Sequence, residues 1–77
     1  MEKMTRREQV IYDYVLLFRA KKHFSPSMRE IAEGVGLHSV STVHKHVHSL
    51  VNKGWFLPCT GKKRTILPNE ELLAERA

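Results

Sequence analysis

Ser27-Met28-Arg29-Glu30-Ile31-Ala32-Glu33-Gly34-Val35-Gly36, followed by Leu37-His38-Ser39-Val40-Ser41-Thr42-Val43-His44-Lys45-His46-Val47-His48-Ser49-Leu50-Val51-Asn52-Lys53-Gly54, reads as two helices joined by a short connection. Ser27 and Glu30 have the spacing of a capping box, in which the Ser hydroxyl accepts from the third helical N–H and the Glu reaches back. Ile31, Ala32 and Val35 share one side of the helix this starts, and Gly36 suits a left-handed stop. Gly34 inside it costs up to about 1 kcal/mol relative to Ala, so packing has to hold this helix in place. Leu37 to Val40 form the connection, and Ser39 or Ser41 is the next cap. From Ser41 to Lys53 the stripe Val43, Val47, Leu50, Val51 predicts a second helix, ended by Gly54 with the Lys53 cation in its last turn. A short helix, a tight connection and a helix with an inward stripe make a helix-turn-helix.

Upstream, Thr5-Arg6-Arg7-Glu8 is another capping box. Behind it Ile11, Tyr14, Val15 and Phe18 recur at helical spacing, with Val10 and Leu17 widening the stripe and Leu16 left exposed. This helix runs to about Lys22, and Pro26 pushes Ser25 out of helical angles. Downstream, Trp55-Phe56-Leu57 and Thr65-Ile66-Leu67 read as antiparallel strands around a turn, Pro58 to Arg64, that carries Lys62, Lys63 and Arg64. Pro68-Asn69 ends the second strand, and Asn69 caps a last short helix. The predicted fold is α+β, mainly α: a three-helix winged helix-turn-helix over 1–68 with a C-terminal two-stranded β-hairpin wing, then a helical tail over 69–77. The 77 residues allow one domain.

The charge is +5 and unevenly spread. No Asp or Glu occurs from Gly34 to Asn69, whereas Lys45, Lys53, Lys62, Lys63 and Arg64 all fall there, so one half of a small domain can offer a positive face to phosphates. Stepping 100° per residue from Val43, the residues opposite the apolar stripe are Ser41, Lys45, His48, Ser49 and Asn52, with Thr42 and His44 on the flanks. Hydroxyls, an amide, imidazoles and a lysine approach base edges and phosphates without repulsion, and the first turns of such a helix insert deepest in the major groove. A plain solvated helix, the competing reading, ordinarily mixes both signs of charge.

Other chemistries find little support. His44 and His48 share a helical face but His46 lies about 200° away, so no zinc site is expected. Cys59 alone forms neither an internal disulfide nor a thiolate zinc site. No nucleophile is set beside a base, no glycine-rich phosphate loop occurs, and no apolar run approaches membrane-spanning length. The expectation is an intracellular, cytoplasmic, nucleoid-associated protein that is not an enzyme, with no cofactor and no small-molecule substrate.

Thr5-Arg6-Arg7-Glu8-Gln9-Val10-Ile11-Tyr12-Asp13-Tyr14, Ser25-Pro26-Ser27-Met28-Arg29-Glu30-Ile31-Ala32, Ser41-Thr42-Val43-His44-Lys45-His46-Val47 and Lys53-Gly54 resemble the N-terminal domain of LexA repressors, up to about Leu67. The resemblance implies base contacts from Ser39, Ser41, Thr42, His44 and Lys45. Backbone contacts are expected from Ser27, Arg29, His48 and Lys53, and from Lys62, Lys63 and Arg64 on the wing. LexA repressors continue into a self-cleaving Ser/Lys domain that supplies most of their dimer interface, whereas this sequence stops at Ala77. Val40 stands where the family usually has Pro or Ser, and Lys45 where several members have Gly or Glu, which implies a different base preference. Trp55-Phe56 is bulkier than the usual aliphatic pair.

The expected function is a sequence-specific double-stranded DNA-binding transcription regulator, a LexA-like bacterial or phage repressor. It would bind a palindromic operator as a homodimer that is weak or DNA-assisted. The alternative is a protein-binding winged-helix adaptor or antagonist docking on a transcription component, with Trp55 and Phe56 as anchors.

Overall fold

In the computed structural model, residues 3–57 and 66–69 are described, and they form three helices, α1 (Arg6–Lys22), α2 (Met28–Val35) and α3 (Val40–Asn52), each packed against the other two. Both predicted capping boxes form. The Thr5 hydroxyl accepts from the Glu8 N–H at 3.2 Å, and the Thr5 N–H donates back to Glu8 Oε1 at 2.8 Å. Ser27 and Glu30 repeat the arrangement at 3.1 and 2.9 Å. α1 ends on His23, whose φ of 66° places a non-glycine residue in the left-handed region. Arg19, Lys21 and Lys22 crowd its last turn, where the helix dipole favours cations. Gly36 ends α2 at φ 77°, as expected.

The buried face of α1 differs from the expected stripe. Glu8, Ile11, Tyr12 and Val15 are buried, Tyr14 and Phe18 are half-buried, and Val10 and Leu17 are 47% and 62% exposed. The four buried residues span an arc of about 100°, and Val10 and Leu17 fall outside it. Tyr12 enters the core because the residues after α3 pack on that side of α1. Its ring stacks on Phe56 at 5.5 Å between centroids and meets Trp55 edge-on at 5.6 Å.

α3 begins one residue earlier than predicted. Ser39 is its N-cap in extended geometry but makes no side-chain cap bond, so the start of this helix rests on packing. Val43, Val47 and Leu50 are buried, and Val51 is half-buried. Gly54 then turns the chain at φ 91°, and the Trp55 N–H returns to the Leu50 carbonyl at 2.9 Å.

Past α3 the chain pairs with its own later segment. Phe56 and Pro68 form an antiparallel bridge, flanked by the Leu57 N–H on the Leu67 carbonyl and the Asn69 N–H on the Trp55 carbonyl, both at 2.9 Å. The pairing therefore runs through Pro68-Asn69 and does not stop at Leu67. Among the described residues it is a single bridge, not the two strands expected over 55–57 and 65–67. Proline suits this place because it lacks an N–H for a longer ladder. The side-chain amide of Asn69, expected to cap a helix, donates to the Gly54 carbonyl at 2.8 Å. The expected wing turn, Pro58 to Arg64, and the helical tail after Asn69 lie outside the described residues. Ser25, fully buried, ties this segment to α1: its hydroxyl donates to the Ile66 carbonyl at 2.7 Å and accepts from the Arg19 guanidinium at 2.6 Å.

Candidate nucleic-acid interface

The start of α3 is a solvent-facing surface without an acid, polar apart from the exposed Val40. Ser39, Ser41, His44, Lys45 and His48 are exposed, and Thr42 is half-buried on the flank. The inward stripe Val43, Val47, Leu50 turns these side chains outward, and Gly36 ends α2 in the left-handed region before the chain starts α3. The structure thus brings together all five residues expected to face bases, with His48 one turn further along. Arg29 is exposed on the first turn of α2, and Ser27, half-buried, caps that turn. Lys62, Lys63 and Arg64 lie outside the described residues.

Ser49 of α3 and Lys53, its C-cap, stand elsewhere than expected. Ser49, placed by helical stepping on the outward face, is half-buried and its hydroxyl donates to Glu8 Oε2. Lys53, expected on phosphate, directs its ammonium inward to Glu8 Oε1 at 2.6 Å, with a second bond to the Lys3 carbonyl at 3.3 Å.

Glu8 is the residue that reasoning from sequence missed. It was legible only as half of a capping box, yet it is 3% exposed and joins α1 to the far end of α3. Its spacing, three residues before Ile11 and seven before Val15, marks the core face and was the available signal. Burial alone raises a carboxyl pKa. Here the hydrogen bonds from Lys53, Ser49 and the Thr5 N–H, together with the Lys53 charge, outweigh it and hold Glu8 at about 2 instead of 4.5.

The surface suits a polyanion: hydrogen-bonding groups and cations on a rigid helix, with the nearest buried acid already neutralised by Lys53. Phe56 is 2% exposed and so is not presented as an anchor for a protein partner, while Trp55, half-buried, packs edge-on against Tyr12. No helix among the described residues is long and apolar enough to cross a membrane.

Residues 1–65 match the LexA DNA binding domain family. Over 75 residues, 97% of the chain, the sequence is 44% identical to a LexA repressor of Bacillus thuringiensis, and it covers 34% of that protein. The LexA repressor of Bacillus anthracis matches to the same extent. A LexA repressor of Koribacter versatilis is 48% identical over 54 residues, 70% of this chain and 26% of that one. The chain therefore spans about a third or less of the length of these relatives.

Proposed function

The chain belongs to the LexA DNA-binding domain family, and from that premise we propose that it is a sequence-specific double-stranded DNA-binding regulator of the repressor type. The observation that carries this reading is the acid-free, exposed face at the start of α3. Inserted in the major groove, that face puts Ser39, Ser41, Thr42, His44 and Lys45 against base edges. Arg29, the Ser27 turn and His48 flank it and take phosphates, and Lys62, Lys63 and Arg64, in the segment expected from the sequence to be a wing, add further cations. Lys45 is the residue best suited to a guanine, by its charge and its place in the helix's second turn.

A module of this size buries little surface on DNA, so strong selectivity needs two copies on a palindromic operator. Bound there, the pair represses by occluding a promoter. The site of action is the cytoplasm, on the nucleoid. A protein-binding adaptor is the weaker alternative, because Phe56 is used in the core and the half-buried Trp55 packs against it.

Fluorescence anisotropy of a labelled duplex at two salt concentrations tests the proposal. If Arg29, Lys62, Lys63 and Arg64 each neutralise one phosphate, affinity falls by about two orders of magnitude between roughly 50 and 200 mM salt. Absence of binding at the lower concentration refutes it.

A further inference from the structure

Lys53 is the cation that closes α3, and it sits on the flank of the helix that meets the first turn of α1. Thr42, Ser49 and Lys53 follow one another on that flank at i, i+7 and i+11, about 80° around the helix from Lys45. Lys53 therefore lies about 12 Å along the helix from Lys45, on the flank beside the face assigned above to DNA. A free lysine there, a point charge on a flexible stem, is placed to take a phosphate.

It is not free. Its side chain is 19% exposed, and its ammonium bonds to Glu8 and to the Lys3 carbonyl. Glu8 in turn has both oxygens engaged: Oε1 accepts from Lys53 and from the Thr5 N–H, and Oε2 accepts from Ser49. We propose that Glu8 is an internal competitor for Lys53, a buried surrogate phosphate that keeps this ammonium off the DNA backbone and so sets how tightly and how salt-dependently the domain binds.

The exchange is asymmetric. Moving Lys53 to a phosphate gains a partly hydrated contact on the outside, but leaves a desolvated carboxylate without its counter-charge, the more expensive of the two states. Glu8 stays ionised at any pH near neutrality, so the competition is always on. Glutamine at the same position removes the charge and little else, since it serves a capping box as well as glutamate and can still bond Ser49 and the Thr5 N–H. The glutamate thus has a consequence that the cap and the interhelical hydrogen bonds alone do not require.

This inference rests on the DNA-binding reading, and the salt dependence of binding separates the two. A labelled duplex of mixed sequence is titrated with wild type, Glu8→Gln, Lys53→Gln and the double variant across a fourfold range of salt, after thermal unfolding shows each to be folded. Lys53→Gln removes the cation but keeps a hydrogen-bond donor for Glu8, and the unfolding measurement shows whether the domain tolerates the lost counter-charge. The expected result is a wild-type slope unchanged in Lys53→Gln and steeper by about one ion in Glu8→Gln, an extra loss of roughly 3.5-fold across that range, with the steepening abolished in the double variant. A Lys53→Gln slope shallower by about one ion in the wild-type background overturns the proposal, because Lys53 then already contacts phosphate. A Glu8→Gln slope equal to wild type, or a steepening that survives in the double variant, overturns it as well. If Glu8→Gln does not fold, Lys53→Gln alone decides by the same criterion. A wild type that binds no duplex at low salt removes the DNA reading and this inference together, whereas wild-type binding with the wrong pattern of slopes removes only the role of Glu8.

Discussion

Gly34→Ala is expected to destabilise the domain, against the usual sign of that substitution in a helix. Alanine in a helix interior is favoured over glycine by about 1 kcal/mol. At Gly34, however, an added Cβ falls within the ring of Tyr14, and even the phenol oxygen would lie 2.6 Å away, well inside a normal van der Waals contact of roughly 3.5–4.0 Å. The ring has to move, and its tilted contact with Phe18, at 6.0 Å between centroids, moves with it. Overpacking of this kind costs about 1–3 kcal/mol, so after the helical gain the net loss is about 1 kcal/mol, or some 4–8 °C in Tm for a domain this small. Urea and thermal unfolding followed by circular dichroism measure it. The decisive control is Tyr14→Ala, which removes the three atoms nearest to the added Cβ and in whose background Gly34→Ala stabilises by about 0.5–1 kcal/mol. If Gly34→Ala stabilises equally with and without the Tyr14 ring, the close packing of α1 on α2 at this point is wrong.

Glu8 gives the fold an acid-sensitive clamp. Its pKa is lower folded than unfolded, so its contribution is complete above about 4.5 and disappears as pH falls toward about 2. At 1.36 kcal/mol per unit the clamp is worth at most roughly 3 kcal/mol. The stability difference between wild type and Glu8→Gln, measured by urea unfolding, should shrink across that window; a difference that does not change with pH contradicts the assignment. Phe56→Ala should cost about 3–5 kcal/mol, because the ring is buried against Tyr12, and should be seen as lost folding in calorimetry. A folded Phe56→Ala variant near wild-type Tm would return Phe56 to the role of a surface anchor. His23→Gly should raise Tm by several degrees, since glycine accepts the φ of 66° without the left-handed penalty of about 1 kcal/mol, while His23→Ala should not.

Local signals carried most of what could be read in advance. The two capping boxes, the Gly36 stop and the Val43-Val47-Leu50 stripe depend on contacts within one or two turns, and each stands where its residue types required. The errors concern packing between distant segments. Tyr12 was passed over because the helical stripe on α1 admits two overlapping faces, and only the return of Trp55 and Phe56 onto α1 selects between them. Glu8 looked like a capping residue because the partners that bury it, Ser49 and Lys53, are 41 and 45 positions away. Ser49 was assigned to the outward face and Lys53 to a phosphate for the same reason: helical stepping and charge find where a side chain can point but not the acid waiting for it. The face of α3 around Ser41, His44 and Lys45 was readable because it depends only on the stripe behind it.

The central claim is that the start of α3 reads DNA sequence, and selection of bound duplexes from a random pool, run in parallel with wild type and Lys45→Ala, tests it most directly. Wild type should enrich a two-fold symmetric pattern, with half-sites about one helical turn apart or a multiple of it. Lys45→Ala should keep the spacing and lose preference at one base pair per half-site, a change of about 1–3 kcal/mol there. An unenriched wild-type pool, or the same pattern from both proteins, would contradict it.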